Sequence, residues 1–333
     1  MFATTLRDAG DWVHRIISDF MPLGTPRQAR GILSRLLCAM APGLIFAPLS
    51  MAQADSPPSV DAAAVVRRAI ANRFAEDAEH QPMRFLLHKQ DERHNIVQQI
   101  IETPQGDVAM LVAVNGAALN SGGQQMERAR LDNLDVNPAL QEHRRRREQE
   151  DKDRVDKLMH LLPDAFLYHY DSTVPCDVTT QPRIAAPGFA LPPASSGVTA
   201  QCYHMTFKPN PNFQPDDIEA KVFTGMAGEV WIEISAERLC KLHAHLIEDV
   251  DFGWGIVGRL NKGGTVDLEQ TQIGEKDWEL TRMKLNMTGR ALLFKPLSFR
   301  INEEMADFAP VQPGTDYRAA IKLLEGRRSG ATQ

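Results

Sequence analysis

The sequence predicts an α+β protein built on one strongly curved antiparallel sheet, an unclosed β-barrel of about nine to eleven strands, with helices covering its concave face or one edge. Three observations carry this expectation. Apolar and polar residues alternate in successive short runs, turn-forming residues fall between those runs, and helical patterns interrupt the series after the third run. Composition agrees with a packed protein: 333 residues, 43% hydrophobic and 24% charged, with 22 Gly and 21 Pro. Such a chain is neither a coiled coil nor collagen-like nor wholly disordered, and it is long enough to bury a core without metal or disulfide staples. A net charge of −6 leaves no general basic surface for nucleic-acid phosphates. No segment reaches the roughly 20 apolar residues of a membrane span.

Taken in order, the Ala-rich segment 61–79 reads as a helix, with Val65, Ile70 and Phe74 among charged positions and Ser59 and Asp61 as caps. Strand-like runs follow at 84–89, 95–103 and 107–114, parted by the polar 90–93 and by Pro104-Gln105-Gly106. The charged region 120–162 reads as a helical insertion, helical from Gly122 and broken at Pro138. Strands are expected at 166–170, 198–207, 229–234, 239–250, 265–273, 278–287 and 291–303. Asn261-Lys262-Gly263-Gly264, Gly274-Glu275-Lys276-Asp277 and Gly289-Arg290 stand where hairpins should turn. A helix at 316–324 closes the chain.

The entry segment points to export. Arg27, Arg30 and Arg35 precede the apolar run 36–50, which ends in Ala52-Gln53-Ala54, the small-x-small pattern of a signal-peptidase site. Residues 1–54 are therefore expected to be a cleaved signal, with Met21 as an alternative start, and 55–333 a single domain. Cys38 follows Leu37, where a small residue would be expected, and most of the apolar run comes after it, so no lipid anchor is expected. Cleavage leaves Cys176, Cys202 and Cys240, an odd number for an oxidising compartment. Cys176 and Cys202 flank the Pro-rich loop 181–197, where a disulfide would pin the loop's base; free buried thiols are the alternative.

Few motifs carry chemistry. Gly253-Trp254-Gly255-Ile256-Val257-Gly258 matches G-x-G-x-x-G, but its neighbours are antiparallel-type strands and not a βαβ unit, so it is not a dinucleotide site. Phe252 and Trp254 there read as part of a loop that tucks into the core or lips a cavity. His243 and His245 sit two apart on a strand and face one way, a weak metal pair without a third ligand. Nucleophile elbows and H-E-x-x-H helices are missing, no cofactor is implied, and an enzyme is the minority reading. The block Arg144 to Arg147 is balanced by Glu148, Glu150, Asp151 and Asp153, as on a solvated helix face; contact with anionic headgroups or an acidic partner is the alternative.

Trp231-Ile232-Glu233, a strand ending near Glu248, Trp278 to Met283, a Gly-bounded hairpin and then Met305-Ala306-Asp307-Phe308-Ala309-Pro310 with Gly314 follow one another in an order that resembles the LolA-like outer-membrane lipoprotein-sorting superfamily. The resemblance covers most of residues 60–325 and rests on apolar positions that define a fold. It implies an unclosed barrel lidded by helices, a periplasmic location, and shelter for acyl chains of lipids or lipoproteins. The insertion 120–162 and the loop 181–197 depart from the small carriers.

The expected function is thus a periplasmic, non-enzymatic binding protein whose cavity is lined by some of Trp231, Met283, Leu285, Met287, Leu293, Phe299, Phe252 and Trp254. Its partner is an apolar or acyl-chain ligand. Two rivals stand beside it: an envelope-stress regulator or scaffold that binds an envelope protein and has a packed sheet, and a metal-dependent hydrolase using His243 and His245.

Overall fold

The computed structural model describes residues 60–192, 197–252, 257–291 and 295–330. The expected signal segment with Met21 and Cys38, loop residues 193–196, Trp254 and Leu293 lie outside the described residues.

Helix α1, Ala62–Glu79, starts where the Asp61 carboxylate accepts the Ala64 N–H at 3.0 Å. Strands β1 (Met83–Gln90), β2 (Asn95–Ile101) and β3 (Val108–Val114) form the expected meander, followed by the two-residue β4 (Ala117–Ala118). The charged insertion is two helices, α2 (Ser121–Val136) and α3 (Pro138–Ala165). Asn137 separates them and caps α3 through the Leu140 N–H at 3.0 Å, while Pro138 takes the first turn, where its missing N–H costs nothing. The Arg block makes the local pairs its spacing suggested, Arg144 with Glu148 and Arg146 with Glu150, both at 3.7 Å.

The remaining strands are β5 (Phe166–Asp177), β6 (Thr199–Pro209), β7 (Met226–Glu233), β8 (Arg238–Leu246), β9 (Val250–Phe252), β10 (Gly258–Leu260), β11 (Thr265–Gln272), β12 (Trp278–Ala291) and β13 (Lys295–Pro310). A 3₁₀ turn, Ala220–Gly225, precedes β7, and helix α4, Tyr317–Gly330, ends the fold. All thirteen strands belong to one antiparallel, curved sheet that does not close, in the order β4-β3-β2-β1-β13-β12-β11-β8-β7-β6-β5, with β9 and β10 hanging from β12. Pairing of β13 with β1 joins the first and last strands near the sheet's middle.

Two boundary expectations need correction. The run 239–250 is two strands, because the chain leaves the sheet after Leu246 and the Ile247 N–H turns to the Gly225 carbonyl at 2.9 Å. Gly289-Arg290 is not a turn but lies inside β12, opposite Leu260 on β10 and Leu297 on β13. The glycine serves close approach: a Cβ at Gly289 would meet the Arg259 carbonyl oxygen at 2.2 Å.

Helices cover two separate regions. Ala62, Val65, Val66 and Ala69 of α1 pack with Phe166, Met205, Val230 and Ala244 from β5 to β8. Leu131 and Leu134 of α2 and Ile321 and Leu324 of α4 pack with Ile101, Val108 and Met110 near the β3 edge. Strand alternation through the paired registers puts that second layer on the face opposite α1. The loop after β5 crosses the same opposite face, where Ile184 and Ala186 bury against Leu86, Val97, Ala113 and Ala306.

Candidate functional site

The face under α1 is apolar across most of the sheet. Directly opposed residues run Met205, Val230, Leu242, Leu268, Met283 and Glu303 from β6 to β13, and Ala244, Val266, Leu285 and Ile301 form the adjoining row. Opposed side chains on one face lie within contact distance, so these rows make one surface and not scattered positions. Leu242, Val266, Leu268, Phe299 and Ile301 on it are only half-buried.

Most of the described residues expected to line a cavity meet here. Met283, Leu285 and Met287 alternate onto this face of β12, Phe299 stands opposite Met287, and Phe252 is buried in the same core as Leu285 and Met287. Trp231 does not join them. It sits between Val230 and Ile232, so alternation turns it to the opposite face, where its ring stacks on His204 with centroids 4.7 Å apart and Lys241 Nζ lies 5.3 Å from the ring centroid.

One polar pair interrupts the apolar rows. Glu303, 1% exposed, lies opposite Lys89, with Oε1 3.5 Å from the Lys89 ammonium; its Oε2 has no hydrogen-bond partner. Burial pushes this carboxyl up to about 7, with Lys89 opposing.

A second polar cluster lies along α1. Arg68, Asn72, Glu76 and His80 recur every four residues, the spacing of one helix face. Arg68 Nε donates to Glu237 at 2.7 Å, Asn72 donates to the Ala236 carbonyl at 3.2 Å, and Glu76 accepts the Trp278 N–H at 2.8 Å and pairs with buried Arg238. His80 lies between two buried carboxylates, its Nε2 2.8 Å from Glu102 and its Nδ1 3.6 Å from Glu279. Burial, then the charge of Glu102, pushes Glu279 up to about 7, while the hydrogen bond to Glu102 raises His80 above its ordinary value. Sequence reasoning missed this group. Its members come from α1 and the residue after it, the residue after β2, the β7–β8 turn, β8 and β12, and only the four-residue polar spacing on a helix whose other face is apolar could have hinted at it.

The paired histidines are surface residues. His243 Nδ1 lies 2.6 Å from Asp267 and its ring centroid 6.1 Å from that of His245, and among the described residues no third donor gathers at the pair. The described residues do bring three sulfurs together: Cys176 and Cys202 form a disulfide, and Cys240 is a buried thiol. Comparison with known proteins finds no protein-family model and no curated protein that this chain matches.

Proposed function

We propose that the protein is an exported, periplasmic carrier that holds an acyl chain of a lipid or lipoprotein against the α1 face of its open sheet. The observation that carries this reading is the pair of adjoining, largely apolar rows in which Leu242, Val266, Leu268 and Ile301 stay half-buried among fully buried neighbours. Each methylene transferred from water to such a surface contributes about 0.8 kcal/mol. Methionines suit the lining, since their unbranched chains adapt to varied shapes. Glu303, with one carboxylate oxygen unpartnered, offers a polar contact for the headgroup end.

Native mass spectrometry of protein purified from its own envelope, followed by lipid extraction, tests the proposal. An adduct of acyl mass near one per chain is the expected result, and Val266→Asp should abolish it while leaving the unfolding midpoint within a few degrees. A bare chain mass together with a defined protein complex would instead establish the scaffold role and end the carrier reading.

A further inference from the structure

All three cysteines of the described residues converge from different strands, β5, β6 and β8, with their sulfurs within 4.8 Å of one another. Convergence depends on a local irregularity. On β8, Leu242, Ala244 and Leu246 belong to the α1 face, and regular alternation would send Cys240 there too. Cys202, out of step with Tyr203 and Met205, faces the other way. The β7–β8 register slips between Trp231–Lys241 and Ile232–Leu239, skipping Cys240. Bulges re-aim side chains, and this one sets Cys240 Sγ 3.3 Å from Cys202 Sγ.

Access to the three sulfurs is unequal. Cys202 is fully buried and Cys240 is 5% exposed, whereas Cys176 is half-buried on β5, the strand at the free edge of the sheet. An external thiol reaches this disulfide from the Cys176 side. The sulfur of Cys202 has its neighbouring nucleophile inside the protein.

We propose that Cys240 attacks Cys202 and transfers the disulfide from Cys176–Cys202 to Cys202–Cys240, leaving Cys176 as a modifiable thiol on the edge strand. In the step, Cys240 gives its proton to solvent hydroxide and its thiolate forms a bond to Cys202 Sγ. The Cys176–Cys202 bond breaks, and Cys176 leaves as a thiolate that takes a proton from water. One thiol and one disulfide are present before and after, so no oxidant or reductant enters. Burial pushes the Cys240 thiol up to about 12, which keeps the exchange slow near neutrality and makes it base-accelerated, because the thiolate is the nucleophile. The edge thiol then forms mixed disulfides with small or protein disulfides.

Alkylation of the native protein with excess iodoacetamide, followed by peptide mapping of Cys176, Cys202 and Cys240 without reduction, tests this. The expected product carries the label on Cys176 and a Cys202–Cys240 disulfide. Its rate should be independent of reagent concentration and rise about tenfold per pH unit, as the thiolate fraction does well below the thiol pKa. Cys240→Ala and Cys240→Ser should leave Cys176 unlabelled over the same period, and circular dichroism identifies any variant that has lost its fold. Cys176→Ala, treated with a disulfide-forming oxidant, should contain Cys202–Cys240. Equal labelling of Cys176 in the wild type and in both folded Cys240 variants, labelling confined to Cys240, no labelling, or two persistent thiols in oxidised Cys176→Ala would each overturn the exchange.

Discussion

The two ends of α1 are held to the sheet by different physics. Its first half presents Ala62, Val65, Val66 and Ala69 to an apolar core, while its second half presents Glu76, and beyond the last turn His80, to Arg238, Glu102 and Glu279. Apolar contact is non-directional and insensitive to protons, so its strength follows the area buried and not the charge state of single groups. The charged contacts need fixed geometry, since a buried ion that loses its partner keeps its desolvation penalty. The helix is thus held by buried charge at one end and by buried apolar area at the other, and the apolar end belongs to the core against which Leu242, Val266 and Ile301 of the proposed acyl site pack.

The largest test of this contrast is Arg238→Ala, which strips Glu76 of its buried partner and should cost about 3–5 kcal/mol in urea unfolding. If the loss instead matched that of an exposed pair, the charged end would be held no more strongly than the apolar end. At that end Val65→Ala, 2% exposed in the native fold, should cost about 2 kcal/mol through lost burial and a small cavity. A penalty as large as that of Arg238→Ala would erase the distinction.

Protons provide a subtler discriminator. Glu279 has its carboxyl near 7 in the folded state against an ordinary value near 4.5, so the fold binds that proton more tightly than the unfolded chain does. The resulting stability is fully present below about 4.5 and is lost as pH rises to about 7. His80, also raised, contributes below its ordinary value and loses that contribution as pH rises through its folded one. The urea midpoint should therefore fall between about pH 5 and about pH 8, and Glu279→Gln should flatten the slope while Glu303 maintains a remainder. A midpoint that rose over this range would reverse the assignment. The smallest expected effect is Asn137→Ala, about 1 kcal/mol from a lost helix cap and remote from both ends of α1.

The sequence made some of these features visible and hid others for identifiable reasons. Alternation at Met283, Leu285 and Met287 put these three on one face of β12, because a period of two survives wherever strands pair regularly, but which face looks inward was left open until α1 was placed. Asp61 marked a helix start and Pro138 a helix break through local chemistry, and the spacing around the Pro-rich loop made the Cys176–Cys202 bridge one of two open readings; the structure contains that bridge. Trp231 was expected among the cavity residues because neighbouring apolar residues on a strand look alike until their side is known. Cys240 could not be paired with Cys202, since a one-residue register slip leaves no local trace. Pro163 inside α3 was not foreseen; it occupies the last turn, just before the chain enters β5 at Phe166. Gly228 is a further case, as a Cβ there would meet the His243 carbonyl oxygen at 2.0 Å, a constraint created only when β8 lies alongside β7.

An open sheet has two rims, and each rim of this one discourages another strand from adding to it. At one end β4 has only two residues, too short a template for stable pairing. At the other, β5 is twelve residues long, but Asp171 is skipped where its pairing with β6 slips and Pro175 has no amide hydrogen. A second chain trying to extend the array would meet a two-residue template at one rim and, at the other, a slipped margin that lacks the Pro175 donor.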